Sequence, residues 1–152
     1  MLFRSLARVT GGLGVSLGYG LGAKLAMKER PVFVLVGDGG FHYNPVPSCL
    51  GAAQEHNLPI TVIVFNNQRY LSMERGLLKY YPDGSSKKTN VHFGGPIPGA
   101  DYRYYADAYG GYGVQVRDPK EIKPAVERAL KENAAGRLAV IDVVLSDYLP
   151  RQ

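Results

Sequence analysis

Three short apolar runs constrain the fold of this chain more than any other feature of its sequence. They lie at residues 32–36, 60–65 and 138–145 and consist mainly of aliphatic and aromatic residues. Strands without alternation of apolar and polar residues are typical of parallel sheets, because helices cover both faces of such sheets. A helix is expected between the first two runs, around residues 47–56, which gives a strand–helix–strand unit with a right-handed crossover. The predicted fold is therefore a three-layer α/β/α domain with a mostly parallel sheet.

A glycine-rich segment at residues 11–27 precedes the first strand and has the periodicity of a helix. Leucines occur at every fourth position from Leu13 to Leu25, and glycines occur at every fourth position from Gly14 to Gly22. Apolar residues at this spacing form one face of a helix. Each glycine costs a helix about 1 kcal/mol relative to alanine. The glycines therefore indicate either close packing or the close approach of another backbone or a ligand.

The second half of the chain alternates irregular and regular stretches. Residues 71–99 show little periodicity and are expected to form a long loop, which in a compact domain is usually functional, often as a lid. A short helix is expected at 101–109 and a short strand at 114–116. Residues 118–121 (Asp-Pro-Lys-Glu) have the composition of a helix start, with Asp as the N-cap. The apolar face of that helix is predicted to comprise Ile122, Val126, Ala129 and Leu130.

The composition is that of an ordinary globular chain and excludes several classes of protein. Apolar residues make up 45% and charged residues 20% of the 152 residues, and Cys49 is the single cysteine, so neither disorder nor a disulfide scaffold is expected. No apolar run approaches the roughly 18 residues needed to span a bilayer. The net charge of +5 comes from scattered lysines and arginines, so nucleic acid is not an expected partner. A membrane is not an expected partner either, and the expected location is the cytoplasm. One domain is predicted at residues 11–148, after an arbitrary or disordered start at 1–10 and before a tail at 149–152.

Polar residues follow two of the apolar runs at the points where the strands should end. Asp38 lies within the run Gly37–Gly40 after the first strand, and Asn66–Asn67 follow the second. Ligands bind outside the carboxyl ends of the strands in open parallel sheets. A carboxylate and an amide oxygen suit Mg²⁺ or Ca²⁺ rather than Zn²⁺, and glycines let backbone N–H groups approach an anion. The motifs predict a di- or polyphosphate bridged by Mg²⁺; the P-loop and dinucleotide-binding glycine motifs are absent.

The order and spacing of these motifs resemble the signature of thiamine diphosphate-dependent enzymes. Gly37-Asp38-Gly39 is separated from Asn66-Asn67 by 26 residues, and the segment before the first strand is similar to the glycine-rich helix that precedes this signature. The branch concerned contains acetolactate synthase, benzoylformate decarboxylase and pyruvate decarboxylase. The resemblance extends over about residues 11–145. It implies the thiamine diphosphate-binding (PP-type) domain, normally the C-terminal third of a longer polypeptide.

The resemblance implies roles for individual residues. Asp38 and the side chain of Asn67 would ligate Mg²⁺, together with the backbone carbonyl of Arg69. The Gly11 carbonyl would accept a hydrogen bond from the 4′-amino group of the cofactor, and Leu13 would hold the cofactor bent. The expected cofactor contacts are Gly11, Leu13, Gly37, Asp38, Gly39, Gly40, Asn67 and Tyr70, with the backbone N–H groups of Gly39 and Gly40 on the diphosphate.

Other side chains near the motifs are weaker candidates. His42 is a candidate for contact with the diphosphate or the substrate, and a helix-start position is the alternative. Tyr70, Leu71 and Met73 are candidate substrate-pocket residues, and core packing is the alternative for them. The residues expected to serve packing, turns, an interface or the surface are Cys49, His56, Asp83, His92, Asp101, Tyr102, Tyr104 and Tyr105.

The resemblance also implies partners. In the family, a glutamate from a separate domain, usually on another subunit, activates the pyrimidine ring, and the diphosphate domain begins with a strand and loop that precede the residues present here. We therefore expect an N-terminally truncated domain of a 2-keto acid decarboxylase or acetolactate synthase-like carboligase. It would be inactive without a pyrimidine-binding domain or subunit in trans, and the full-length enzyme would be a homo-oligomer.

Two alternatives remain open at this point. One is a non-catalytic module that binds thiamine diphosphate and Mg²⁺ and serves in assembly or regulation. The other is a different phosphate-binding α/β domain in which the two motifs are coincidental.

Overall fold

The computed structural model describes residues 12–92, 95–97 and 100–145. In chain order its elements are α1 (Ser16–Ala26), β1 (Phe33–Gly37), α2 (Asp38–His42), α3 (Val46–Glu55), β2 (Thr61–Asn66), α4 (Leu71–Tyr80), α5 (Ser85–Thr89), α6 (Tyr104–Asp107), β3 (Tyr112–Val116), α7 (Pro119–Ala134) and β4 (Ala139–Val144). Across those residues, none of the helices is long and apolar enough to cross a bilayer. The predicted start at 1–10, the Gly11 carbonyl and the tail at 149–152 lie outside the described residues.

The strands form a single parallel sheet in the order β1-β2-β4-β3. Val34 pairs with Val62 and Val62 pairs with Val140, so the three apolar runs lie side by side in the sheet. Helices α1, α3 and α6 pack on one face, and α7 packs on the other. The predicted three-layer α/β/α fold with a parallel sheet is confirmed.

The face under α7 is covered over only part of its width. Ala125 of α7 packs against Ile141 of β4, so the β3–β4 side of this face is closed. On the β1 side of the same face, Phe33, Leu35 and Phe65 are 38%, 63% and 40% exposed. β1 is also an outer strand of the described sheet. The sheet therefore has an open apolar flank at β1.

Helix α1 packs on the sheet through the middle of the predicted leucine row. Leu17 is fully buried and Leu21 is partly buried, whereas Leu13 and Leu25 are 51% and 59% exposed. The helix starts later than predicted, because Gly14 has a left-handed φ of +85° that interrupts it. A spacing of four residues also drifts around a helix of 3.6 residues per turn, so a long row of this kind leaves the buried face.

The close contact between α1 and the sheet is made by a glycine outside the predicted row. A Cβ at Gly20 would overlap the Cγ2 atom of Val34 on β1. A Cβ added at Gly18 or Gly22, which belong to the predicted row, would meet no neighbouring group within 4 Å. Close packing therefore explains Gly20, and these two members of the row face open space in the described structure.

The segment predicted to be a long loop contains two helices, α4 and α5, so that prediction is wrong for much of residues 71–99. Helix α4 has no buried residue, and Met73 and Tyr80 are 68% and 76% exposed. Its apolar residues Met73, Leu77 and Tyr80 have helical spacing, but they are exposed and do not form a buried face. Helix α5 is only five residues long and entirely polar.

Helix α7 starts as predicted, and three of the four residues of its predicted apolar face are buried or partly buried. The Asp118 carboxylate caps the first turn, and the Glu121 carboxylate accepts a hydrogen bond from the Asp118 N–H at 3.2 Å. Ala129 is buried, and Val126 and Leu130 are partly buried, whereas Ile122, also predicted to face the core, is 40% exposed. Ala125, one residue outside the predicted face, is buried in the same cluster.

We expect Gly20→Ala to destabilise the fold by about 1–3 kcal/mol, the usual cost of overpacking a buried contact. Gly22→Ala is the matched control in the same helix. Because its Cβ would face open space, it should raise the free energy of unfolding by up to about 1 kcal/mol through helix propensity. Urea unfolding followed by circular dichroism measures both variants. Equal effects would contradict the described packing of α1 on β1.

Candidate functional site

The carboxyl ends of β1 and β2 meet at one edge of the sheet. The two strands are parallel neighbours, and their last register pair is Gly37 with Phe65. Asp38 and Asn66 are the next residues along each strand, and Asn67 begins the loop after β2. The two polar motifs therefore lie side by side at the edge where open parallel sheets bind ligands.

Asp38 has one satisfied and one unsatisfied carboxylate oxygen. The residue is only 3% exposed, and its Oδ1 accepts a hydrogen bond from the Gly39 N–H at 2.8 Å. Its Oδ2 is buried and has no hydrogen-bond partner among the described residues. An acceptor left unpaired in the interior costs about 1–3 kcal/mol, and more when it is charged. Oδ2 is therefore the atom of this edge best suited to receive a cation.

The two asparagines after β2 have different environments. Asn66 is 1% exposed, and its Nδ2 donates to Asp142 Oδ1 at 3.0 Å and to the Ala100 carbonyl at 3.2 Å. Asn67 is half-buried, and its Oδ1 accepts the Arg69 N–H at 3.1 Å, which closes a turn in the loop. Asn66 is thus committed to the core, and Asn67 is the asparagine whose amide lies in the loop.

Asp142 anchors this edge from the centre of the sheet. It is fully buried on β4, and three groups donate to its carboxylate. Besides Asn66 on Oδ1, the Tyr102 N–H and Gln115 Nε2 donate to Oδ2 at 3.2 and 2.8 Å. Sequence reasoning did not identify this residue. The available signal was a single acidic residue inside the apolar run 138–145, which needs buried donors.

Aromatic rings and a second glycine enclose the edge around Gly39. A Cβ at Gly39 would lie 2.6 Å from Cδ1 of Tyr70, and the Tyr70 ring meets the Tyr43 ring edge to face with centroids 6.2 Å apart. A Cβ at Gly14 would overlap the backbone oxygen of Tyr43. Gly39 and Gly14 are therefore needed for close approach. The Gly39 N–H, predicted to hold diphosphate, donates to Asp38 in this structure.

His42 and Tyr102 form a hydrogen bond beside Asp38. The His42 Nε2 lies 2.8 Å from the Tyr102 hydroxyl, and the two rings are edge to face with centroids 5.6 Å apart. Asp38 and His42 are four residues apart in α2 and share a helix face. Burial raises the pKa of the Tyr102 hydroxyl well above its usual range, and the charges of Asp38 and Asp142 raise it further. The sequence predicted only a packing or interface role for Tyr102.

The remaining predicted residues vary in burial. Leu71 is partly buried in the first turn of α4, but Met73 is 68% exposed, which excludes core packing for that residue. Leu13 is 51% exposed. Gly37 ends β1 at the edge, and Gly40 accepts a hydrogen bond on its carbonyl from Asn44.

Cys49 is buried, and burial raises the pKa of its thiol, as expected for an inert cysteine.

Comparisons with a family model and with known proteins find relatives of this chain. The family model described as thiamine pyrophosphate enzyme, C-terminal TPP binding domain, matches residues 3–143. Acetolactate synthase isozyme 3 large subunit from Escherichia coli (strain K12) is 33% identical over 140 residues, which cover 90% of this chain and 23% of that protein. The 2-hydroxyacyl-CoA lyase of Arabidopsis thaliana is 29% identical over 143 residues, which cover 91% of this chain and 23% of that protein.

Solved structures show the same relationship. The Rhodococcus jostii RHA1 thiamine diphosphate-dependent 4-hydroxybenzoylformate decarboxylase matches with a TM-score of 0.73 and 32% identity, over 90% of this chain and 24% of that one. Benzoylformate decarboxylase from Polynucleobacter necessarius matches with a TM-score of 0.71 and 27% identity, over 94% of this chain and 25% of that one. The chain therefore spans about a quarter of the length of the relatives it matches.

We expect Asp142→Ala to lower the free energy of unfolding by about 3 kcal/mol or more, because three buried donors would lose their acceptor. Asp107→Ala, at an exposed position of α6, is the control and should change stability by no more than about 0.5 kcal/mol. Chemical denaturation measures both. A stability loss at Asp142 no larger than at Asp107 would show that the carboxylate does not hold this edge together.

Proposed function

Because this chain belongs to the thiamine pyrophosphate enzyme family, as its C-terminal thiamine pyrophosphate-binding domain, we propose that it binds the diphosphate group of thiamine diphosphate through Mg²⁺ at the carboxyl ends of β1 and β2. The observation that carries this proposal is the buried Asp38 Oδ2, which has no hydrogen-bond partner among the described residues. A divalent cation would supply the missing counter-charge. Because the family model matches residues 3–143, the alternative of a different phosphate-binding α/β domain, in which the two motifs are coincidental, is wrong.

The proposed protein ligands are the Asp38 carboxylate, the Asn67 amide oxygen and the Arg69 backbone carbonyl. All are hard oxygen donors, which Mg²⁺ prefers, and its six positions are usually completed by water and phosphate oxygens. Asn67 and Arg69 belong to one turn, closed by the hydrogen bond between the Asn67 Oδ1 and the Arg69 N–H at 3.1 Å. Asn66 suits this role less well, because its Nδ2 donates to Asp142 and Ala100 and its Oδ1 accepts the Gln68 N–H at 3.3 Å, which hold the side chain inside the domain.

The other proposed cofactor contacts lie around the same edge. Gly37 is exposed at the end of β1, and Gly39 and Gly40 follow Asp38 in α2, where the Tyr70 ring lies over the buried Gly39. The Gly39 N–H already has an acceptor in Asp38, so a phosphate oxygen would have to share or replace that acceptor. Leu13 remains a proposed contact at an exposed position before α1.

Bound thiamine diphosphate supplies the nucleophilic carbon and electron sink for cleaving or forming a bond beside a carbonyl group. We propose that the substrate is a 2-keto acid, decarboxylated or joined to a second keto compound, as the names of the acetolactate synthase and benzoylformate decarboxylase relatives suggest. This chain would anchor and orient the cofactor. We propose that a pyrimidine-binding domain or subunit carries the activating glutamate, since the chain covers about a quarter of its relatives.

We expect the 152-residue chain to bind thiamine diphosphate only in the presence of Mg²⁺, as measured by isothermal titration calorimetry with and without EDTA. Asp38→Ala should weaken this binding by more than about 100-fold, because changes outside the ligand sphere alone commonly cost about 10- to 100-fold. Asp83→Ala, at an exposed turn, is the matched control and should bind like the wild type. Circular dichroism would verify that each variant is folded. Binding without Mg²⁺, or unchanged affinity in Asp38→Ala, would refute the ligand assignment.

We expect no release of CO₂ from 2-keto acids by this chain alone, and release when a pyrimidine-binding domain bearing the activating glutamate is added. A coupled CO₂ assay with pyruvate and benzoylformate measures this. The same partner with its glutamate replaced by glutamine is the control and should remain inactive. Cofactor binding without turnover in the reconstituted mixture would favour the non-catalytic assembly or regulatory module.

A further inference from the structure

We propose that Tyr102 positions His42 so that its imidazole Nδ1–H donates a hydrogen bond to an anionic oxygen of the ligand held at the carboxyl edge of β1 and β2. The identity of this ligand rests on the function proposed above. The structural basis of the proposal, the hydrogen bond between the Tyr102 hydroxyl and His42 Nε2 at 2.8 Å, is independent of that function.

Tyr102 is held rigidly enough to act as a positioning residue. It is fully buried, and its backbone N–H donates to Asp142 Oδ2 at 3.2 Å. Its ring packs edge to face against Phe41 with centroids 5.2 Å apart, and against His42 at 5.6 Å. Backbone, ring and hydroxyl are therefore each fixed by a different neighbour, which leaves the hydroxyl little freedom to turn away from His42.

The direction of the hydrogen bond follows from the burial of the hydroxyl. Within the described residues, His42 Nε2 is the hydrogen-bond partner of the Tyr102 hydroxyl. A buried hydroxyl proton that found no acceptor would carry a large penalty, so the phenol donates to Nε2. Burial and the nearby charges of Asp38 and Asp142 raise the pKa of the phenol, so it keeps the proton that it donates.

The hydrogen bond at Nε2 decides whether Nδ1 of the neutral His42 ring carries the proton. A neutral imidazole that accepts at Nε2 carries its proton on Nδ1, which makes Nδ1 a donor. His42 is an exposed residue, and it lies on the same face of α2 as Asp38, one turn further along. The proposed donor therefore belongs to the residue one helical turn from Asp38, the proposed cation ligand, and an anionic oxygen of a diphosphate or a carboxylate is its proposed acceptor.

The first test measures the tautomer of His42 by ¹⁵N NMR of the intact chain without ligand. We expect a single Nδ1–H tautomer in the wild type and loss of this preference in Tyr102→Phe. Tyr105→Phe is the matched control, because the Tyr105 ring also packs edge to face on Phe41, at 5.3 Å, and should leave the tautomer unchanged. An Nε2–H tautomer in the wild type, an exchange-averaged ring like that of exposed His56, or an unchanged tautomer in Tyr102→Phe would overturn the positioning role.

The second test identifies the source of the anionic oxygen. Inorganic pyrophosphate with Mg²⁺, and pyruvate added to chain saturated with thiamine diphosphate and Mg²⁺, are titrated separately while the His42 Nδ1 proton resonance is followed. A shift with pyrophosphate supports donation to the diphosphate, and a shift only with pyruvate supports donation to a carboxylate. No shift with either anion overturns the donor role. Because the tautomer is measured without ligand, failure of cofactor binding in the calorimetric experiment is distinguishable from failure of the positioning role.

Discussion

The candidate site depends on the hydrogen bonds that three donors make to the carboxylate of Asp142. This carboxylate lies fully buried in the middle of the sheet, where an unpaired acidic group would be strongly unfavourable. Its three donors come from the end of β2, from the segment before α6 and from β3. One group thereby fixes the end of the strand that leads to Asn67 and the backbone of Tyr102, which contacts His42. The polar edge of the domain is thus held from inside the apolar core.

The sequence predicts the sheet and the local motifs well, because both depend on neighbouring residues. Apolar runs without alternation identify buried parallel strands, and the short joints place Asp38 and Asn67 at the same edge. The capping box at Asp118 is likewise a local pattern. These features need no knowledge of which distant residues meet.

The features that the sequence does not reveal depend on contacts between distant residues. His42 and Tyr102 are 60 residues apart, and Asn66 and Asp142 are 76 apart, so no spacing rule connects them. Gly20 is indistinguishable from its neighbouring glycines until β1 is packed against α1. Helix α5 contains no apolar residue, so its sequence gives no helical periodicity, whereas α4 has an apolar row of helical spacing, Met73, Leu77 and Tyr80, that the prediction of a loop overlooked.

The open flank of β1 determines how a larger assembly could grow around this sheet. An outer strand presents backbone donors and acceptors that can pair with another strand, and here exposed Phe33, Leu35 and Phe65 accompany them in the described structure. A parallel strand added beside β1 would end next to Asp38, so the loop after it would form a further wall of the ligand crevice. A strand added beside β3 would lie at the far end of the sheet from Asp38. The two flanks of the sheet are therefore unequal, because only a strand beside β1 would end next to that carboxylate.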